Sequence, residues 1–218
     1  MNAIKRLLAK GTASHFVRIS FAMPGFLKTQ GFAHWMNRIF SGLAPAYDRI
    51  GSRLASESVF LGPLEKASQG LKEPPESVLD LACGTGLATF RLKHLFPGSL
   101  AVGADLSTEM IQIMKRKARD AGLNGLFALV CNSAELPFGG DRFDLVITQN
   151  APPYPEEMVR VLRPGGRIFL LYSFVYLPLV RNAVTERLKR LNLEEVTVVQ
   201  AGEGMAATAR KPVMSCHV

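Results

Sequence analysis

From Val78 onward, short apolar runs alternate with segments in which apolar residues recur every three or four positions, and few folds accept that alternation. The runs "VLDLA", "AVGAD", "FALVC", "FDLVI", "RIFLLY", "EVTVV" and "MAATAR" read as seven strands. Between them, "STEMIQIMKRKARDA" sets Met110, Met114 and Ala118 on one helical face, with Ser107 placed as its N-cap. "LVRNAVTERLKRL" buries Val180, Ala183, Val184, Leu188 and Leu191 and turns Arg181, Glu186 and Lys189 outward. Such alternation implies an α/β chain, with a seven-stranded, mostly parallel sheet and helices on both faces. The last two strands are separated only by Gly202, Glu203 and Gly204, which predicts an antiparallel C-terminal hairpin.

The first quarter of the chain differs in charge. Residues 1–55 hold eight Lys or Arg and one acid, Asp48, whereas residues 56–218 hold 18 basic and 17 acidic residues. We therefore divide the chain into a basic helical arm, residues 1–55, and a nearly neutral main domain, residues 56–218. The arm has helical spacing: Phe32, Trp35, Met36, Ile39 and Phe40 share a stripe, continued by Leu43, Tyr47, Ile50 and Leu54, and the first turns set Ile4, Leu7 and Leu8 opposite Lys5, Arg6 and Lys10. One reading packs these helices over the sheet. The other lays residues 1–40 on an anionic membrane from the cytoplasmic side. A Lys/Arg- and Ser-containing segment with no acid before Asp48 also fits an organelle transit peptide. No stretch reaches the roughly 20 apolar residues of a spanning helix. The cysteines, Cys83, Cys131 and Cys216, are odd in number and lack metal-ligand spacing, so neither a disulfide framework nor a metal site is expected. Cys83 and Cys131 read as small buried side chains.

The chemistry is expected where "VLDLACGTGLATF" leaves the first strand, because ligands of open α/β sheets sit beyond the carboxyl ends of the strands. Gly84 and Gly86 let a ligand approach the backbone, but Thr89 stands where a dinucleotide loop wants a third glycine. Asp80 discriminates further, since a carboxylate beside the loop repels a pyrophosphate and attracts a sulfonium or ammonium. Asp105 ends the second strand, where an acid accepts ribose hydroxyls. These residues point to a nucleoside with a cationic amino-acid tail, and S-adenosylmethionine fits that description.

"VLDLACGTG", "VGADLSTEM", "NSAELPFGGDRFDLV" and "EMVRVLRPGGRIFLL" resemble, in order and spacing, the successive motifs of class I S-adenosylmethionine-dependent methyltransferases, whose sheet is Rossmann-like. Together with "RIFSGLAPAYDRI" they look most like the ubiquinone/menaquinone-biosynthesis C-methyltransferases (a methyltransferase type 11-like domain), over about residues 36–211. The resemblance implies that Asp80, Gly84, Thr85 and Gly86 line the methionine end of the cofactor and that Tyr47 closes over it. It implies that Asp105 holds the ribose, that Leu106 and Met110 meet the adenine face, and that Asn132 and Ser133 meet its edge. Gln149 would lie under the sulfonium. Gly165-Gly166 of "RPGG" reads as a turn between helix and strand.

Where that family carries a longer loop after the fourth strand, this chain has only "TQNAPPYPE". A small-molecule acceptor, lipophilic or membrane-associated in the manner of a quinone precursor or a phospholipid headgroup, would then be walled by Phe32, Trp35, Phe40 and Tyr47 of the arm. A rival reading uses Pro152-Pro153-Tyr154, close to the tetrapeptide of amino-methyltransferases acting on nucleic acid or protein. Ala151 stands where their amine-orienting Asn or Asp belongs, and Asn150 is one residue out of register. A third reading is a non-catalytic subunit that keeps the cofactor fold. The sequence names no catalytic base: His34 and Asp48 are candidates, and His15, His94 and His217 read as exposed.

Overall fold

The structure is a computed structural model and describes residues 3–213. The side-chain facing of Ile4, Leu7 and Leu8 lies outside what is described, since side chains are described from Lys10 onward, and Cys216 and His217 fall outside the described residues. The arm folds as α1 (Ala3–Ala22), α2 (Pro24–Leu27), α3 (Gln30–Leu43), a single 3-10 turn (Ala44–Ala46) and α4 (Tyr47–Leu54). Next come α5 (Glu57–Ser68), β1 (Ser77–Leu81), α6 (Leu87–Leu95), β2 (Leu100–Asp105), α7 (Thr108–Asp120), β3 (Leu126–Val130) and β4 (Phe143–Gln149). The chain ends with α8 (Pro155–Val161), β5 (Leu162–Tyr172), α9 (Leu177–Arg190), β6 (Glu194–Ala201) and β7 (Gly204–Arg210).

The strands form one sheet in the order β3-β2-β1-β4-β5-β7-β6. The first five are parallel, and β7 runs antiparallel between β5 and β6. The chain winds outward from β1 to β3 and then returns to the other side of β1 as β4, so the switch point lies between β1 and β4. Strand parity distributes the core. Leu79, Leu81 and Val146 face the layer that holds Val17 of α1 and Val180, Val184 and Leu188 of α9. Val78, Leu145 and Ile147 face the opposite layer, with Leu61 and Leu64 of α5 and Ala88 and Leu92 of α6. The helical faces expected of α7 and α9 are the buried ones, and the Ser107 hydroxyl caps α7 by accepting from the Met110 N–H.

Two turns differ from expectation. "RPGG" lies inside β5, where one residue of β4 between the paired positions Phe143 and Leu145 is opposed by four of β5 between Leu162 and Arg167, a bulge. It stays in the sheet because Lys211 pairs with it from the far end of the chain, its carbonyl accepting from the Gly165 N–H and its N–H donating to the Gly166 carbonyl, each at 2.9 Å. The hairpin turn is one residue shorter than read, because Gly204 already pairs with Ala201. A Cβ on Gly204 would collide with the Tyr172 carbonyl oxygen and the Ser173 backbone. Gly204→Ala is therefore expected to lower the unfolding free energy by about 3 kcal/mol. Gly202→Ala, in open space but at φ +60°, should cost about 1 kcal/mol. Paired urea denaturation curves check the contrast.

Candidate functional site

β1 delivers the chain into a tight loop in which Ala82, Gly84 and Gly86 have φ of +54°, +55° and +96°. The loop is held from the next strand. Asp105, at the end of β2, accepts the Gly84 N–H on Oδ2 at 2.8 Å and the Ser107 N–H on Oδ1 at 2.9 Å. One carboxylate thus fixes both the glycine loop and the start of α7. Burial raises its pKa, and these N–H donors pull against the rise.

A cavity opens beyond β1, β2 and β4, floored by Ala82, Gly84, Asp105, Leu106 and Met110 and flanked by Asn132, Ser133 and Gln149. The arm supplies its roof: Phe32, Met36 and Phe40 of α3 and Tyr47 of α4. The Tyr47 ring stands over the glycine loop, 3.8 Å from where a Cβ on Gly84 would lie. Burial, with Asp105 and Asp48 nearby, raises the Tyr47 pKa. Polar ties fasten the roof. Asp48 accepts the Thr85 hydroxyl at 2.5 Å and pairs with Lys117 of α7 at 2.6 Å. Ser41 donates to Ser107 Oγ at 2.9 Å, and the Tyr154 hydroxyl donates to the Leu27 carbonyl at 3.0 Å.

Of the residues assigned to the cofactor from sequence, Tyr47, Gly84, Asp105, Leu106, Met110, Asn132, Ser133 and Gln149 stand together on this cavity. Asp80, Thr85 and Gly86 are not on its wall. Parity turns Asp80 from β1 towards α6, where it is fully buried and accepts the Thr89 hydroxyl at 2.6 Å. Thr89, where a third glycine was missed, is thus the partner of that carboxylate. Thr85 turns its hydroxyl to Asp48, and Gly86 lies against Met114 and Phe90. Of the residues expected to wall an acceptor, Phe32, Phe40 and Tyr47 do so, whereas Trp35 sits on the outer face of α3. Asn37, Ser107 and Asn150 also line the cavity and were not expected there. Their only sequence signal was proximity to residues already chosen.

Two amides, Gln149 and Asn150, line the cavity at the end of β4 and just past it. Gln149 Nε2 donates to the Phe60 carbonyl at 2.6 Å, and its Oε1 is buried with no partner. Flipping the amide would set two carbonyl oxygens together, so Phe60 fixes Oε1 as the free acceptor. Asn150 is fully engaged with Ser173, accepting its N–H at 2.7 Å and donating to its hydroxyl at 2.9 Å. His34 is exposed and off the cavity, as His15 and His94 are exposed elsewhere. The Cys83 and Cys131 thiols are both held high by burial, the latter to about 11. Among the described residues, no group of three His, Cys, Asp or Glu side chains is placed to hold a metal ion.

Residues 78–166 match a family described as a methyltransferase domain. A demethylmenaquinone methyltransferase of Thermus thermophilus is 36% identical over 140 residues, covering 61% of this chain and 63% of that relative. The chain spans about three-fifths of the length of the curated relatives it matches. Among solved structures, a SAM-dependent methyltransferase from Aquifex aeolicus superposes with a TM-score of 0.58 at 20% identity, covering 72% of this chain and 95% of that one. The [4+2]-cyclase SpnF superposes with a TM-score of 0.63 at 15% identity, covering 82% and 95%. The sheet thus shares its fold with these solved structures.

The buried Asp80 carboxyl is pushed up from 3.8 to about 7 by burial, and the Thr89 donors offset part of the rise. Between these values the folded chain holds a proton that the unfolded chain releases, so stability falls as pH rises from about 4 to about 7. From pH 5 to pH 8 the native protein is expected to lose on the order of 2–4 kcal/mol more unfolding free energy than the Asp80→Asn variant. Denaturant melts at both pH values measure the difference in slope.

Proposed function

We propose that this chain, whose residues 78–166 match the methyltransferase family, is an S-adenosylmethionine-dependent methyltransferase acting on a small lipophilic acceptor. One observation carries the reading: a single cavity has a polar floor suited to a nucleoside and an apolar roof built from the arm. The floor fits the cofactor chemically. Asp105 has lone pairs left after its two N–H donors and is placed for ribose hydroxyls. Leu106 and Met110 offer an apolar bed for a base. Asn132 engages its oxygen in a local turn with the Ala134 N–H at 3.0 Å, which leaves its NH₂ and the neighbouring Ser133 for the base edge. Gly84, with Thr85 and Gly86 shaping the loop and Asp80 buried beneath it, faces the methionine end, and Tyr47 covers that end.

When bound, S-adenosylmethionine supplies a methyl on cationic sulfur, an electrophile that needs no further activation. The protein must align the acceptor with it and exclude water, tasks that the Phe32, Met36 and Phe40 roof performs. Gln149 lines the cavity with its amide held by the Phe60 carbonyl, which fixes its position at the end of β4. Among the described residues no histidine or lysine lines the cavity, which suits an acceptor that brings its own nucleophilicity, as an electron-rich phenol or quinol ring does at carbon. The naming of relatives for demethylmenaquinone supports that class. The amino-methyltransferase reading is disfavoured by geometry. Asn150 already accepts the Ser173 N–H and donates to its hydroxyl, and the Tyr154 hydroxyl donates to the Leu27 carbonyl, which counts against Asn150 as a dedicated amine-orienting group.

The test incubates the full chain with methyl-labelled S-adenosylmethionine and a cell extract, followed by phase separation. Label is expected in the organic-soluble fraction, and Ala151→Asn is expected not to redirect it to nucleic acid or protein. Label in nucleic acid or protein, increased by Ala151→Asn, would establish the rival. Cofactor binding without transfer to any fraction would favour the non-catalytic reading.

A further inference from the structure

Helix α1 is apolar on both sides: Val17 and Phe21 are buried in the core, yet large apolar residues also face out. Its buried side includes two serines, Ser14 and Ser20, whereas Phe16 and Ile19 are 42% and 53% exposed, and Met23, one residue past its end, is 59% exposed. The serines sit inside for a reason. Ser14 Oγ donates to the Lys10 carbonyl at 2.7 Å and accepts the Tyr176 N–H at 2.6 Å, and Ser20 Oγ donates to the Phe16 carbonyl at 2.9 Å. Small, self-satisfied side chains let α1 lie close to α9 alongside the buried Val17 and Phe21, and Phe16, Ile19 and Met23 are left outside. On α3, Trp35 is 56% exposed on the same arm. It meets Phe32, a residue of the cavity roof, with ring centroids 6.2 Å apart. A soluble surface does not present such a group of large apolar side chains without a partner.

Charge selects the partner. Residues 1–47 contain six Lys or Arg and no acid. The acids beside the arm stand near its cations, Glu203 by Lys10 and Glu156 by Lys28, each at 4.0 Å. A second copy would oppose basic residue to basic residue across this face, whereas a sheet of phosphate headgroups over acyl chains complements both its charge and its apolarity. No helix among the described residues is long and apolar enough to cross a membrane, so the arm would lie in the interface and not span it. We propose that the outer face of α1 to α3 docks on an anionic lipid surface. On the reading of the cavity given above, the roof side chain Phe32 then links bilayer to cavity, and the lipophilic acceptor enters from the membrane.

Trp35 is the sole tryptophan of the chain, so its fluorescence reports directly on this face. The full chain is mixed with vesicles of phosphatidylcholine containing about one-third phosphatidylglycerol, or of phosphatidylcholine alone. Expected are co-sedimentation with the anionic vesicles, a Trp35 blue shift of about 10 nm and quenching by brominated acyl chains. Binding should be about 10-fold weaker on the neutral vesicles and at about 0.5 M salt. The double variant Ile19→Glu, Met23→Glu should bind about 10-fold more weakly, with circular dichroism and cofactor affinity unchanged. If that variant fails to fold, bromolipid quenching in the unaltered chain still decides. Three results would overturn the proposal: no shift or quenching on anionic vesicles, equal binding to both lipids, or a doubled mass in sedimentation that Ile19→Glu, Met23→Glu returns to monomer. Cofactor titration without vesicles separates the two readings. Cofactor binding without vesicle binding removes only the membrane surface, and vesicle binding without cofactor binding sustains the surface and removes the catalytic reading.

Discussion

A single buried carboxylate sets the geometry on which the candidate site depends. Asp105 reaches from β2 to the amide of Gly84 in the β1 loop and to the amide of Ser107 at the head of α7. Without it, two buried N–H groups would lose their partner, and the loop and helix that frame the floor would no longer be held to one another. The same carboxylate is the polar group at the centre of that floor, so the anchor of the loop and the anchor of a ligand are one residue. Such double use explains how a loop with only two glycines keeps a defined shape.

The second constraint is the short connection after β4. It supplies one side of the cavity with Asn150, Ala151, Pro152 and Tyr154, and residues from the opposite end of the chain close the rest. Asp48 ties the arm to Thr85 and Lys117, Ser41 ties it to Ser107, and Tyr154 ties it to Leu27. These bonds join residues up to 127 positions apart, and each uses a polar group that a surface loop would otherwise leave to water. The roof is apolar inward and also apolar outward. That combination distinguishes this arm from a simple lid, whose outer face would be polar.

Much of the fold was legible because its signals are local and periodic. Seven apolar runs gave the seven strands, and the two-glycine hairpin gave the antiparallel end. Positions were harder where the deciding partner lies far away in sequence. The bulge at Gly165-Gly166 depends on Lys211, more than forty residues later. Asp80 could be read as a carboxylate beside the glycine loop, but only strand parity together with Thr89 shows that it points under α6. The outward facing of Trp35 follows from which side of α3 meets the cavity, and helical spacing alone leaves that choice open. Helix α1 carries apolar residues on both sides, with Val17 and Phe21 inward beside Ser14 and Ser20 and with Phe16 and Ile19 outward, so the pattern alone leaves its facing open.

A shared sheet does not by itself assign a reaction, because this architecture carries several chemistries, and function has to be argued from the site. The account stands on the claim that the Asp105 floor is built for a sulfonium-bearing nucleoside. The most direct measurement is calorimetric titration of the full chain with S-adenosylhomocysteine, beside the Asp105→Ala variant and a control titration with NADH. The account predicts one site per chain with a dissociation constant between about 1 µM and 1 mM, weakened at least about 10-fold by Asp105→Ala, and no heat from NADH. Absence of binding by the unaltered chain, or preference for NADH, would contradict it.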